Sequence, residues 1–166
     1  MIRVLDIPGE LLKDSTVARG SYTSIAHSEE IERLLEKEFG RTGLCLKIYN
    51  PRYIEMDDWK TCKAIEEARI QNLFALFGLA PMVYRVVLLK KGSVTRVFAQ
   101  VTEYAQGNGE PDYFTVTKLI EMYHLQTVHR DPSGNVKYDF TAGSNWIGEQ
   151  FVDFGGWYFK REEVDG

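Results

Sequence analysis

Residues 43–49 read GLCLKIY. Leu44, Leu46 and Ile48 alternate with Cys45, Lys47 and Tyr49, the period of two of a β-strand, and Asn50-Pro51 ends the run. From about Trp59 to Phe77 the period changes. Ile70, Leu73, Phe74 and Phe77 recur at i, i+3, i+4 and i+7, which predicts a helix stopped by Gly78 and Pro81. MVYRVVLLKKGSVTRVFAQVTEYAQG then predicts a hairpin, with strands over 82–89 and 94–104 around a KKGS turn. A strand, a long helix and a hairpin in succession give an α+β order rather than an alternating βαβ one.

Upstream of this stretch, Ile2 to Ile7 and Val17 to Ala26 mix β-branched and aromatic residues, which predicts strands with a tight turn at ARGSYTS. Ser28 opens SEEIERLLEKEFG, a capped helix with Ile31, Leu34 and Leu35 on one stripe and Gly40 as its stop. This charged helix reads as a lid, a partner-binding face or a covering element. Downstream, a short helix is expected across Thr115 to Tyr123. Strands are expected in LQTVHRDPSGNVKYDF, around a DPSGN turn, and in WIGEQFVDFGGWYF. Trp146, Trp157, Tyr158 and Phe159 suit a core, an interface with a further domain or a dimer contact.

With 166 residues, 44% apolar, 13% aromatic and 27% charged, the chain can bury a core without a disulfide or a metal. The same figures exclude disordered, collagen-like and coiled-coil classes. Apolar runs such as Leu73 to Ala80 fall short of the ~18 residues of a membrane span, and MIRVLDIPGELLKD lacks the pattern of a secretory leader. No membrane partner is expected. Twenty Lys and Arg against twenty-four Asp and Glu, a net charge of −4, argue against a surface for duplex nucleic acid. Cys45 and Cys62 show neither CxxC spacing nor a nearby histidine, so they read as buried thiols in a reducing, cytoplasmic compartment. His27 reads as a surface residue, and His124 and His129 gain no support of their own as bases.

Taken in order, four of these pieces resemble the protein-kinase-like superfamily. GLCLKIY is similar to the strand that carries the family's phosphate-binding lysine, with Lys47 in that place. The long helix resembles αC, whose glutamate pairs with that lysine. Glu66 and Glu67 both border its apolar stripe, and Glu67 is the preferred partner. VFAQVTEYAQG resembles the strand that runs into the interlobe hinge, which would set Val101 or Thr102 beside adenine while Glu103 and Ala105 present backbone groups to it. Asp153-Phe154-Gly155 is similar to D-F-G, whose aspartate holds Mg²⁺.

The resemblance implies a kinase N-lobe-like antiparallel sheet with an αC-like helix, then a short helix and a small β-stub in place of a full helical lobe. A single domain, 1–166, would comprise an N-lobe-like part, 1–106, and a minimal C-terminal part, 107–166. RGSYTS carries Gly20 and Ser21 where the family has its glycine-rich loop. Two stretches compete for the catalytic loop. His129-Arg130-Asp131 spells H-R-D with Asn135 following, whereas YDFTAGSNW offers Asp139 and Asn145 and leaves HRDPSGNVK as a plain hairpin. Asp139 or Asp131 would stand at the acceptor hydroxyl, and Asp153 with Asn145 would hold Mg²⁺. The parts that hold a peptide substrate have no counterpart, which argues against protein-kinase activity of this chain alone.

The expected function is therefore a minimal kinase-like ATP-binding domain, a phosphotransferase for a small-molecule acceptor. The alternatives are a catalytically inactive nucleotide-sensing or docking module at the front of a larger multidomain transferase, and an unrelated α+β binding domain.

Overall fold

Apolar or buried side chains on both faces of Leu44–Tyr49 require a cover on each side of the sheet that contains them. The computed structural model describes residues 2–19, 23–49, 60–91, 95–130, 133, 136–138, 145–155 and 157–160. In chain order the first elements are β1 (Val4–Leu5), α1 (Gly9–Asp14), β2 (Thr16–Arg19), β3 (Thr23–Ala26), α2 (Glu29–Phe39), β4 (Leu44–Tyr49) and α3 (Lys60–Ala75). There follow β5 (Val83–Lys91), β6 (Thr95–Glu103), α4 (Tyr113–Met122), β7 (Leu125–Gln126), β8 (Val128–Arg130), β9 (Val136–Tyr138), β10 (Trp146–Ile147), β11 (Gln150–Phe151) and β12 (Tyr158–Phe159). The fold is α+β. Two units divide the chain: Met1–Ala68 with Met82–Tyr104, and Arg69–Pro81 with Ala105–Gly166.

The first unit holds a six-stranded sheet in the order β1-β5-β6-β4-β3-β2. Its neighbours are antiparallel except at one edge, where β1 runs parallel to β5 with Val4 opposite Leu88 and Leu5 opposite Leu89. A wholly antiparallel sheet was expected; the sheet is mixed. The cause is α1, a helix absent from the sequence reading of this region. It reverses the chain after Pro8, whose carbonyl accepts the Leu12 N–H at 3.1 Å, so β1 and β2 end on opposite edges.

On one face of this sheet Leu44 and Leu46 of β4 join Val87, Ala99 and Val101 in a cluster that α2 closes. Ser28 accepts the Ile31 N–H at 3.2 Å as N-cap, and Gly40, at φ 72°, stops the helix by donating to the Glu36 carbonyl at 2.7 Å. Ile31 and Leu35, one turn apart, are fully buried. Each contributes roughly 1.5–3 kcal/mol relative to exposure. The charged helix is thus a covering element of the core.

In the second unit the core is aromatic. Phe74 of α3, Phe151, Phe154 and Trp157 meet with ring centroids 4.9–5.5 Å apart. All five of these contacts are tilted or edge-on, the arrangement favoured by ring quadrupoles. Trp146 and Trp157 are buried here, while Tyr158 is exposed. Asp112 caps α4 by accepting the Thr115 N–H at 3.0 Å, and Val116 and Leu119 face inward. Among the described residues the unit also holds three two-stranded sheets: β10 with β11, β12 with β7, and β8 with β9, the last pairing Arg130 with Val136. Among the described residues no helix is long and apolar enough to cross a membrane.

Candidate functional site

Cys45, Lys47 and Tyr49 share the second face of β4, because side chains alternate along a strand. In the antiparallel register Thr102 and Gln100 of β6 lie opposite Cys45 and Lys47, so a row of polar residues is buried on a sheet face. Lys47 Nζ lies 3.7 Å from Glu67 Oε1 of α3, with only 6% and 1% of the two side chains exposed. Glu67 is buried, whereas Glu66 is half-buried. Gln100 donates to the Tyr49 hydroxyl at 2.9 Å, while its own amide oxygen is buried without a hydrogen-bond partner among the described residues. Burial pushes the Cys45 thiol up to about 12, with Lys47 opposing the rise.

A buried ion pair is weak evidence for stability, because the desolvation of two charges rivals their attraction. Lys47 and Glu67 are therefore functional candidates. Fixed at its base between buried neighbours, the lysine presents a single point charge suited to a phosphate.

At the end of β6, Glu103 is held from several sides. Its N–H donates to the Met82 carbonyl at 3.0 Å, its carboxylate accepts the Tyr84 hydroxyl at 2.9 Å, and its carbonyl lies 3.8 Å from the Cys45 sulfur. Arg41 donates to the Tyr84 oxygen at 3.2 Å and stacks over the ring at 4.3 Å. Burial and the Glu103 carboxylate together push the Tyr84 hydroxyl up. Tyr104, the next residue, donates its N–H to Gly43 at 3.0 Å and stacks on His27 at 3.9 Å. His27 is thus a half-buried stacking partner, not a free surface residue. Of the two residues expected to present backbone groups, Glu103 has its N–H engaged within the sheet unit. The N–H and carbonyl of Ala105 make no hydrogen bond among the described residues.

In the second unit Asp153 follows β11. Its Oδ1 accepts the Gly155 N–H at 3.1 Å, closing a tight turn, and its Oδ2 makes no hydrogen bond among the described residues. Phe154 beside it is fully buried, which anchors the turn in the aromatic core. Asn145 accepts the Val152 N–H on its backbone carbonyl at 2.9 Å, at the open end of the β10–β11 hairpin. A carboxylate and an amide oxygen are hard donors of the kind Mg²⁺ takes. No cluster of three or more His, Cys, Asp or Glu forms a metal-binding group among the described residues.

Gly20, Ser21, Asp131, Asn135 and Asp139 lie outside the described residues, as does the Cys62 side chain. His129 and Arg130 lie on β8, and His124, exposed at φ 53°, follows α4. Sequence reasoning did not single out Gln100, Tyr49, Tyr84 or Arg41. The i-to-partner register of β4 and β6 brings Gln100 to Lys47, and no local pattern in either strand announces that register. No family model matches this chain, and no curated protein matches its sequence.

Proposed function

We propose that this chain is a minimal kinase-like ATP-binding domain that transfers the γ-phosphoryl group to a small-molecule acceptor. The supporting observation is the buried Lys47–Glu67 pair, a lysine on a central strand held by a carboxylate from the helix that follows it. On this reading Lys47 binds the nucleotide phosphates and Glu67 orients it. Ala105 offers its free N–H and carbonyl to the adenine edge, and Glu103 offers its carbonyl. Asp153 and Asn145 would hold Mg²⁺, which would supply charge neutralisation to the nucleotide. The acceptor oxygen forms the new P–O bond as the bond from the γ-phosphorus to the oxygen it shares with the β-phosphorus breaks. ADP leaves, and the acceptor's hydroxyl proton passes to the carboxylate of Asp139 or Asp131.

The test is a thermal shift with Mg²⁺-ATP. A ligand at 100 times its Kd stabilises the folded state by about 2.7 kcal/mol, which for a chain of this size raises Tm by about 5–10 °C. The shift is expected in the wild type and absent in the Lys47→Met/Glu67→Leu double variant, which removes both buried charges together. No shift in the wild type at millimolar ATP would overturn the assignment. ATP binding without transfer to any hydroxyl acceptor would reduce it to the nucleotide-sensing module, and ATP hydrolysis retained in Asp153→Asn would exclude the metal role of Asp153.

A further inference from the structure

Gly107 and Gly148, forty-one positions apart in the chain, pack backbone against backbone in the second unit. A Cβ on Gly107 would lie 2.6 Å from the Ile147 carbonyl oxygen and 2.7 Å from Glu149 Oε2, and one on Gly148 would lie 2.3 Å from the Gly107 carbonyl carbon. Gly148 also has φ +58°, so only glycine suits the contact. Onto this contact Glu149 adds a grip: its Oε2 accepts the Gly109 N–H at 2.8 Å. Its own N–H and those of Gly109 and Asn108 hold its carboxyl below the usual range. The stretch AQGNG, 105–109, lies in no helix or strand, yet it is fastened to the turn of the β10–β11 hairpin.

A stretch with two glycines in five residues has much conformational freedom, and ordering it costs conformational entropy. A segment ordered before the ligand arrives spares the complex that cost. The segment begins at Ala105, whose N–H and carbonyl make no hydrogen bond among the described residues. One donor and one acceptor on a fixed backbone match the acceptor and donor on the hydrogen-bonding edge of a purine such as adenine.

We propose that Glu149 is a positioning residue that clamps the 105–109 backbone against Gly148, so that Ala105 presents its N–H and carbonyl to the base of the bound nucleotide. This rests on the ATP-binding reading. The clamp acts on the base and leaves the phosphates to other residues, so it separates from a general structural role by ligand.

The experiment is calorimetric titration of the full chain with ATP, adenosine and inorganic tripolyphosphate, in wild type, Glu149→Ala and Glu149→Gln. Glu149→Ala is expected to raise the Kd for ATP and adenosine about tenfold while leaving tripolyphosphate unchanged. Glu149→Gln, whose amide oxygen still accepts the Gly109 N–H, is expected to stay within about threefold of wild type. Native-state hydrogen exchange at Gly109 should quicken in Glu149→Ala alone. Unchanged adenosine affinity in Glu149→Ala overturns the clamp while leaving ATP binding intact, and equal weakening of adenosine and tripolyphosphate also overturns it. A wild type that binds none of the three overturns the ATP reading and the clamp with it. Should Glu149→Ala fail to fold, Glu149→Asp, one methylene short of the Gly109 amide, gives the same comparison with the same refuting outcome.

Discussion

Replacing Lys47 by Met keeps the volume and the straight aliphatic stem while removing the charge. It leaves Glu67, with a side chain 1% exposed, facing a position where its cation stood 3.7 Å away. At an effective dielectric constant near 20 the lost attraction is about 4.5 kcal/mol. Removing one partner of a buried pair generally costs about 3–5 kcal/mol, because the remaining charge stays desolvated. Replacing both residues, as Lys47→Met/Glu67→Leu, removes the desolvation cost together with the attraction and should be neutral or stabilising. Urea unfolding followed by far-UV circular dichroism measures both. With an m-value of about 2 kcal/mol/M, the single variant should lose about 1.5–2.5 M in midpoint, and the double variant should unfold at or above the wild-type midpoint. A single-variant loss below about 0.5 M would refute the buried-charge argument. A double variant as unstable as the single one would show that the pair is kept for stability, removing the reason to assign it a function.

Phe154→Ala removes a fully buried ring that contacts Phe74, Phe151 and Trp157, and should cost about 3–5 kcal/mol in the same unfolding assay; a loss under 1 kcal/mol would mean that the aromatic core closes around the gap. Ser28→Ala removes the acceptor for the Ile31 N–H and the hydroxyl contact with Ser15 at 2.7 Å, for an expected loss of about 1 kcal/mol. In a Cys62→Ser background, Cys45, with its thiol pushed up to about 12 by burial, should resist a disulfide reagent at pH 8 until the protein unfolds; rapid labelling of the native protein would contradict its burial. Asp112 and Glu149 have carboxyls held below their usual values by the N–H and hydroxyl groups that donate to them. Their contribution is complete above the ordinary carboxylate range, near pH 4–4.5, and is lost as pH falls through the lowered folded values. Stability of the Asp112→Asn/Glu149→Gln variant should accordingly fall less steeply below about pH 4, and identical acid profiles would count against these contacts.

Legibility in the sequence followed the range of each interaction. Ser28 and Gly40 bound α2 through hydrogen bonds to residues three and four positions away, so a local motif discloses both ends. The 3.6-residue period of α3 and the alternation of β4 are equally local. By contrast α1 spans six residues, too few for a period to show, and its Pro8-Gly9 start has the chemistry of a turn. Missing it hid the parallel β1–β5 edge, which no residue within either strand encodes. The spacing to Ile70 put both Glu66 and Glu67 beside the apolar stripe and left only a slight preference for Glu67, because burial depends on what the helix packs against. Glu149 stood out least, as an acidic residue in a hairpin turn whose partner Gly109 is forty residues distant.

By itself the sequence determined the α+β order, most helix and strand positions, the absence of a long apolar segment, and the singling out of Lys47, Glu67 and Asp153. Periodicity, capping and turn chemistry act over a few residues and are written in the chain. Only the tertiary structure decided that the sheet is mixed, that Lys47 and Glu67 are desolvated together beside Gln100 and Tyr49, and that Glu149 grips the 105–109 backbone. Those outcomes depend on strand register and on backbone contacts between distant segments, and burial is a property of the packed chain.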